Sequence, residues 1–540
     1  MGIQNQFIRT NMKKRIFFLL KILLLSVLFS CSSDRVNHSD YIPTDACAVL
    51  SINTEAIFSD AFFDLIAHND LTNDIAKGPL SDLIKDPANA GIQRLSKYYF
   101  FSVGSSFLEG KIGAVLPLND NELLATYIEQ HFPSVEVLTD QGFLVAELSS
   151  EHTLLWDENA AIYFYSPFGG DLISEMETLF KQTESTSLEH KDSSFHYALR
   201  NSSHLSLWVS NDDFLAFLDD GVKMLKDYSF FESIDIKKED LTGAKSVFLA
   251  NFNEGRIEVQ QKQYLNPTQM AVYKGFDKAN NIKNLTGVVQ QAYPLALFTT
   301  SLKSEGLLDM LKFYRVDKAW DAALMNSPIK FKMGQLAQFF KGDVLAALNG
   351  VDTVKKTIKT VDMDDEGNDL VITQEVSEPV QQINLAMSLK DPDNFQGVLK
   401  SISGDLPKVN GFSSLNGTLF FSVVDEKFLL TTTPQGIEEL KTMSSKLSPE
   451  LDTLVGNNRT AAYIDFNALF EVLKHESPLF LQKFNNLDHL LFSEQGVYDV
   501  GVVEGKMVIY FKNNDNGLIS TIKLISEAGT LVQPVIEWMM

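Results

Sequence analysis

Hydrophobic and polar residues alternate in many short runs along the chain, and these runs predict β-strands separated by short amphipathic helices. Residues 46–53, 97–103 and 112–118 alternate as strands, whereas the spacing of apolar residues within 123–132 is typical of a helix. Adjacent strands joined by tight turns are frequent, as in 143–148 and 153–156. This pattern favours an α+β fold with mostly antiparallel sheets and flanking helices.

One order of elements occurs twice, at a spacing of roughly 250 residues. The strand 46–53 leads through Thr54 into a helix from residue 57, and 293–302 leads through Ser304, a predicted N-cap, into a second helix. Each copy is predicted to end in a hairpin. These hairpins comprise 246–252 with 256–261, and 496–503 with 506–512. The sequence therefore predicts two tandem homologous units, 41–285 and 286–540; the alternative is chance recurrence of common βα patterns.

The middle of each unit runs strand, helix, strand, strand, helix, strand, which resembles a ferredoxin-like split βαβ arrangement. Two such units in one chain create an interface between them. We expect a cleft at this interface, and a ligand site would lie there.

The second unit contains an insertion that the first unit lacks. Two predicted strands, 354–361 and 370–375, flank a run of acids. The run resembles the start of a calcium loop, yet the residue at its twelfth position is Thr373, which supplies no bidentate carboxylate. The sequence thus predicts an inserted acidic β-hairpin at 353–376, an exposed candidate for contact with a partner.

The amino terminus has the layout of an export signal, with basic residues before the apolar stretch 16–29. The stretch is shorter than the roughly 20 residues of a spanning helix. It ends in Leu28-Phe29-Ser30-Cys31, which resembles a bacterial lipobox. The resemblance implies a signal peptide at 1–30, palmitate-type acyl chains on Cys31 that bind the membrane, and a tether at 31–40. The alternative is a plain secretory signal.

Ser32 and Ser33 follow the cysteine. In lipoprotein sorting an aspartate at this place resembles an inner-membrane retention signal, so its absence favours the outer membrane. Surface-export signals resemble a short acidic run, of which only Asp34 and Asp40 are present. Both the periplasmic and the surface-facing side therefore stay open.

Composition excludes one class of partner. The 46 Lys and Arg residues against 70 Asp and Glu give a net charge of −24, and nucleic-acid binding depends on clustered cationic charge. A hydrophobic fraction of 45% fits a folded, soluble body. With Cys31 acylated, Cys47 is the remaining thiol, so the mature chain forms no internal disulfide. Cys47 lies in an apolar run, which favours a buried residue over a reactive nucleophile.

Catalytic motifs are not recognisable. The nine His residues lack metal-ligand spacing, and no nucleophile elbow, phosphate loop or dinucleotide fingerprint occurs. We therefore predict no catalytic, cofactor-binding or metal-binding residues. The 39 Phe residues indicate core positions, with a remaining fraction that would line an apolar pocket.

The segment from Tyr41 to Asn53 contains a proline, an acidic residue and a strand ending in Asn, shortly after the predicted lipidated cysteine. This segment resembles Bacteroidetes-type lipoproteins of an uncharacterised family known only as a domain of unknown function. The resemblance implies an address and a fold, but no mechanism. The leading hypothesis is a non-catalytic, lipid-anchored envelope protein that binds or scaffolds another envelope protein. The alternatives are a carrier or sensor of an apolar ligand in the cleft between the units and, third, an envelope hydrolase.

Overall fold

The computed structural model describes residues 37–57, 86–104, 110–213, 238–275, 281–313, 315, 317–326, 332–363, 369–403, 406–415, 417–442, 444–473, 484–495 and 501–521. The predicted signal peptide, Cys31 and nearly all of the helix predicted from residue 57 lie outside these residues.

Twenty strands of the described residues form one hydrogen-bonded sheet, and every neighbouring pair is antiparallel. The strands are β1 Ala46–Asn53, β2 Lys97–Val103, β3 Lys111–Pro117, β4 Val137–Asp140, β5 Phe143–Glu147, β6 His152–Trp156, β7 Ala160–Tyr165, β8 Leu205–Ser210, β9 Lys245–Asn253, β10 Arg256–Tyr264, β11 Ala296–Ser301, β12 Phe340–Met363, β13 Asp369–Leu389, β14 Lys408–Val409, β15 Phe412–Leu415, β16 Leu419–Val424, β17 Lys427–Thr431, β18 Thr460–Asp465, β19 Leu487–Glu494 and β20 Val502–Phe511. The mixed α+β class with antiparallel pairing is as predicted.

The helices are short and lie between the strands along the chain. They are α1 Asn121–His131, α2 Leu172–Phe180, α3 Leu188–Lys191, α4 Ser193–Arg200, α5 Lys238–Leu241, α6 Pro267–Lys274, α7 Ser304–Phe313, α8 Asp317–Asn326, α9 Met333–Phe339, α10 Pro392–Ser403, α11 Pro434–Thr442, α12 Pro449–Asn457 and α13 Phe466–Leu473. Short 3₁₀ helices occupy His38–Tyr41, Pro87–Ala90, Glu184–Thr186 and Ile282–Val288.

The two halves of the sheet have the same strand order. From one edge inward, the first half runs β4-β5-β6-β7-β3-β2-β1-β8-β9-β10, and the second runs β14-β15-β16-β17-β13-β12-β11-β18-β19-β20. The last strands of the halves, β10 and β20, pair with each other over nine residues, from Arg256↔Tyr510 to Tyr264↔Val502. The sheet is thus continuous across the junction.

Each half buries apolar side chains on both faces of its sheet. In the first half, Met176 of α2 and Phe195 of α4 pack with one face, while Leu124 and Ile128 of α1 pack with the other. In the second half, Ile437 of α11 belongs to one core cluster, and Phe395 of α10 belongs to the other. A further cluster joins the halves, with Phe252 and Ile257 against Leu487 and Phe511.

The ferredoxin-like element is present only in part. Helix α1 carries the chain from β3 to the edge strand β4, and the meander β4-β5-β6-β7 returns it to pair with β3. Strand β8 then pairs with β1 instead of β3, because β1 and β2 lie between them. The split crossover is therefore kept, while the fourth strand occupies a different place.

The inserted hairpin is part of a longer ribbon. Strands β12 and β13 pair from Phe340↔Leu389 out to Met363↔Asp369. Their flanking strands stop early, since β11 pairs with 343–348 and β17 with 384–388. Among the described residues, the outer portion of the ribbon consequently pairs only with itself, and the acidic tip at 364–368 lies outside the description.

Several predicted boundaries are wrong. The terminal hairpin of the second half consists of Leu487–Glu494 and Val502–Phe511, because the apolar run at 487–492 forms β19 and Val502–Val503 opens β20. Ser304 does not precede its helix as an N-cap. It is the first helical residue, and its hydroxyl donates to the carbonyls of Ala337 and Phe340.

The division between the predicted units also moves. Ile282 and Leu285 pack in the core of the second half, so the boundary precedes them rather than following residue 285. Strands β4, β14 and β15 were not predicted, since they have only two to four residues and little apolar alternation.

Candidate functional site

A polar groove lies where the two halves of the sheet meet. It encloses about 190 Å³ and is lined from the first half by Tyr197, Leu249 and the β10 residues Gln260–Lys262. The second half contributes Ser493, Gln495 and the β20 residues 504–506. The location agrees with the prediction that a cleft would form between the halves.

Two ion pairs cross the junction in this groove. Lys262 Nζ lies 3.0 Å from Glu504 Oε1, and Lys506 Nζ lies 2.7 Å from Glu258 Oε1. Lys262 and Glu504 face each other in the strand register, so their side chains are direct cross-strand neighbours. Partial burial raises the pKa of Glu258. The hydrogen bond and the charge of Lys506 lower this pKa by a larger amount, so it lies below its usual value.

An aromatic ring fixes one of the cations. Lys262 Nζ lies 4.3 Å from the centroid of the Tyr197 ring, in the range of a cation–π contact. Tyr197 belongs to α4, so this helix positions the ammonium group from above the sheet. The groove therefore contains positive and negative side chains that these contacts fix in place. They lie beside the amides of Gln260, Gln261 and Gln495, which can donate and accept hydrogen bonds.

The sheet is amphipathic at the junction. Ile257, Val259 and Ile509 join the apolar cluster that links the halves, whereas Glu258, Gln260 and Lys262 alternate with them along β10. One face thus holds the halves together through apolar contacts while the other stays polar. The alternation of 256–259 is readable in the sequence, but the identity of the partner strand is not.

Cys47 is a buried residue, as predicted. It is 1% exposed, and its Sγ atom lies 3.0 Å from the hydroxyl oxygen of Ser102. Burial raises the pKa of the Cys47 thiol, which disfavours the reactive thiolate. Cys31, the predicted lipidation residue, lies outside the described residues.

The segment after the predicted lipidation residue is folded against the first half. Ser39 Oγ and Asn37 Nδ2 donate to Glu189 Oε2 at 2.7 and 3.0 Å. The ring of Tyr41 packs on Phe180 with centroids 5.0 Å apart. Part of the predicted tether at 31–40 therefore belongs to the folded body from residue 37 onward.

The described residues contain neither a membrane-spanning helix nor a metal-type group of side chains. No helix in the described ranges has the length and apolarity needed to cross a bilayer. Within the same part of the chain, no three His, Cys, Asp or Glu side chains are grouped as a metal site would require.

Comparisons with known proteins yield one family and distant structural neighbours. A family profile described as a domain of unknown function matches residues 38–363. No curated protein matches the chain. Two solved structures, crystal forms I and III of TP0453, align at 10% and 9% identity with TM-scores of 0.29 and 0.28. They cover 44% and 45% of this chain and 81% and 87% of theirs.

Proposed function

The chain belongs to the DUF4836 family, whose function is unknown, and we propose that it is a non-catalytic, lipid-anchored protein of the cell envelope that binds a protein partner through the groove between its halves. The observation that carries the proposal is the groove itself. Both halves line it, and both contribute charged side chains to it. A partner docked there would contact the two halves at once.

The two halves represent a duplicated unit in this proposal. Each strand from β1 to β10 has a counterpart ten strands later at the same place in the sheet order. Chance would have to reproduce the order of ten strands, which supports duplication over a coincidence of common βα patterns. Duplication followed by pairing of the terminal strands would create a groove from two copies of one edge.

Anchoring would proceed through Cys31, on an outer membrane of the Bacteroidetes type. The support is the order of basic residues, apolar run and lipobox-like tetrad ahead of the cysteine. Several acyl chains hold a protein far more firmly than one, since each buried methylene contributes about 0.8 kcal/mol. The folded segment from Asn37 would connect this anchor to the first half without a long linker.

The groove favours a polar partner over an apolar ligand. Among its described lining residues, Tyr197 and Leu249 supply apolar surface, whereas the others are charged, amide-bearing, hydroxyl-bearing or glycine. Pockets for apolar ligands are lined mainly by hydrophobic and aromatic side chains.

Site-specific photocrosslinking in intact cells tests the proposal. A photoreactive residue at Gln260 or Gln495, both exposed in the groove, should capture one defined envelope protein. The same residue at Phe168, which is 76% exposed on a loop away from the groove, is the matched control. Equal capture of the same proteins at the groove and control positions would contradict the proposal.

A second measurement tests the anchor. Intact mass of the processed protein should show acyl chains on Cys31, and Cys31→Ser should release the protein from the membrane fraction. Retention of the unmodified Cys31→Ser protein in membranes would rule out this anchor.

A further inference from the structure

A second concave site lies in the second half. It uses strand β19, which also borders the junction groove, but none of the residues that line that groove. The pocket encloses about 260 Å³ between the start of α12, the end of β18 and the start of β19. Its polar and aromatic lining residues are Tyr293, Glu450, Tyr463, Asp465, Asp488 and His489. The site therefore combines three carboxylates with two tyrosine rings and an imidazole.

Neighbouring side chains hold these groups in place. Asp488 accepts a hydrogen bond from Asn467 Nδ2 at 2.5 Å, and its other oxygen lies 2.8 Å from His489 Nδ1. The His489 ring in turn stacks on Tyr510, with centroids 4.1 Å apart and planes within 15°. Asp465 receives the backbone N–H of Ala468 at 2.9 Å. The carboxylates are thus oriented before any ligand arrives.

The register of the sheet identifies the equivalent positions of the first half. Tyr463 faces Leu297 of β11 and Leu491 of β19, just as Trp208 faces Val49 of β1 and Val247 of β9. By the same register Asp465 corresponds to Ser210, His489 to Lys245, and Asp488 to Ala244. Helices α4 and α12 precede these strands, with Asp192 and Ser448 as their N-caps. Ser194 and Glu450 each lie two residues after the N-cap, so they occupy equivalent positions.

In the first half this place is filled by the chain itself. The ammonium group of Lys245 lies 5.4 Å from the centroid of the Trp208 ring and donates to Ser210 Oγ at 2.6 Å. The Trp208 indole donates to Ser194 Oγ at 2.8 Å, and its ring packs edge-on against Phe195. An aromatic face with nearby oxygen acceptors thus holds a cation at this position of the fold.

The second half keeps the aromatic face and lacks the lysine. Tyr463 replaces the larger tryptophan, and His489 stands where Lys245 stands in the first half. Three uncharged residues of the first half, Ser194, Ser210 and Ala244, correspond to carboxylates. In the first half Ser210 also donates to Asp212 and Asp213, whose places in the second half are taken by Asn467 and Ala468. The equivalent position has therefore lost its internal cation, gained one carboxylate on balance and opened into a pocket.

We propose that this pocket, formed by Tyr463, Asp465 and Asp488, binds a primary ammonium group that comes from outside the chain and occupies the place of the Lys245 ammonium in the first half. Carboxylates attract the cation and donate nothing to compete with it, while the tyrosine face provides the contact that Trp208 provides to Lys245. Tyr293, which is half exposed, lies at the open side of the pocket.

The electrostatics of Tyr463 agree with this assignment. Burial, followed by the charges of Asp465 and Asp488, raises the pKa of the Tyr463 hydroxyl. The part of this shift that comes from the two carboxylate charges is the part that would favour a cation beside the hydroxyl.

Calorimetric titration of the purified full-length protein with 1,5-diaminopentane tests the proposal. The wild type should bind this diamine at millimolar concentration or below, should not bind 1,5-pentanediol, and should bind the diamine more weakly as salt is raised. The double variant Asp465→Asn with Asp488→Asn should lose at least about tenfold in affinity. Asparagine keeps the hydrogen-bond acceptor that caps α13, so the fold is preserved.

A third variant places a lysine where the first half has one. His489→Lys should fill the pocket with its own ammonium group and reduce diamine affinity at least about tenfold, whereas Asp212→Asn in the first half should change nothing. No diamine binding by the wild type, or equal binding of diol and diamine, would overturn the proposal without reference to any variant. Equal affinity in the wild type, His489→Lys and the double variant would overturn it as well.

The source of the ammonium group is a separate arm of the same titration. A blocked tripeptide with lysine at its centre is compared with the diamine. Tighter binding of the peptide identifies a lysine side chain of a protein, and tighter binding of the diamine identifies a free amine. The pocket shares strand β19 with the junction groove but none of its lining residues, so the titration tests the pocket separately from the groove.

Discussion

Gln260 and Lys506 face each other at the centre of the nine-residue pairing between β10 and β20. Each occupies the same place in its own hairpin, Gln260 opposite Leu249 and Lys506 opposite Ser493. Equivalent residues therefore meet at the middle of the junction, which is the arrangement of a local two-fold axis. The halves join as two subunits of a symmetric dimer would.

The ion pair beside this centre predicts a pH dependence. Because the pKa of Glu258 is below its usual value of 4.5, its contribution to stability is full above that value and is lost as pH falls through the folded-state pKa. Lys506→Met should remove about 0.5–1 kcal/mol at pH 7, a size limited by the exposure of Lys506. Urea unfolding at pH 7 and pH 3 should show a smaller difference between the two pH values in the variant than in the wild type.

Lys441→Met is the matched control, since Lys441 pairs with Glu438 on an exposed helix surface away from the junction. An identical pH dependence in the wild type and in Lys506→Met would contradict the prediction.

The indole of Trp208 predicts a cost for a small substitution. Its N–H donates to Ser194 Oγ in a fully buried hydrogen bond. Ser194→Ala leaves this donor buried without that partner, and we expect a loss of about 1–3 kcal/mol in the free energy of unfolding. Chemical denaturation measures it, with the exposed Ser185→Ala as control. A loss equal to that of the control would show that the bond adds nothing.

The outer ribbon is predicted to be dispensable for folding. Joining Asp352 to Val380 through an Asn-Gly turn removes residues 353–379, which pair only with each other in the described sheet. Since these residues pair with no other part of the described sheet, thermal unfolding should be nearly unchanged. If this excision also abolishes photocrosslinking at Gln260, then the ribbon takes part in partner binding. A collapse of stability would show instead that the ribbon supports the sheet.

The contact between the amino-terminal segment and α3 predicts local opening. Burial raises the pKa of Glu189, but the hydrogen bonds from Ser39 and Asn37 outweigh it and hold that pKa below its usual value. Glu189→Ala should speed hydrogen exchange across residues 37–43 while leaving the sheet protected. Glu129→Ala, on the exposed side of α1, is the control. Unchanged exchange in 37–43 would show that other contacts hold the segment.

The local pattern of hydrophobic and polar residues predicted most of the strands and helices, but little of how the strands pair. Strands such as Ala46–Asn53 and Lys97–Val103 have the predicted bounds, because alternation and flanking turn residues define them. The partner of β10 depends on contacts between residues about 250 positions apart, which periodicity does not encode. A groove between the halves was expected from the sequence, but the charged side chains that line it were not. The acidic pocket of the second half was missed, since its carboxylates come from three separate elements.

If Cys31 carries the proposed lipid anchor, the folded start at Asn37 would limit the distance between the first half and the membrane. Six residue steps separate Asn37 from Cys31, and a fully extended chain spans at most about 3.6 Å per residue. With acyl chains on Cys31, the first half would be kept within roughly 22 Å of the lipid headgroups. Such a short standoff would hold the first half beside the leaflet and favour neighbours embedded in, or resting on, the same leaflet.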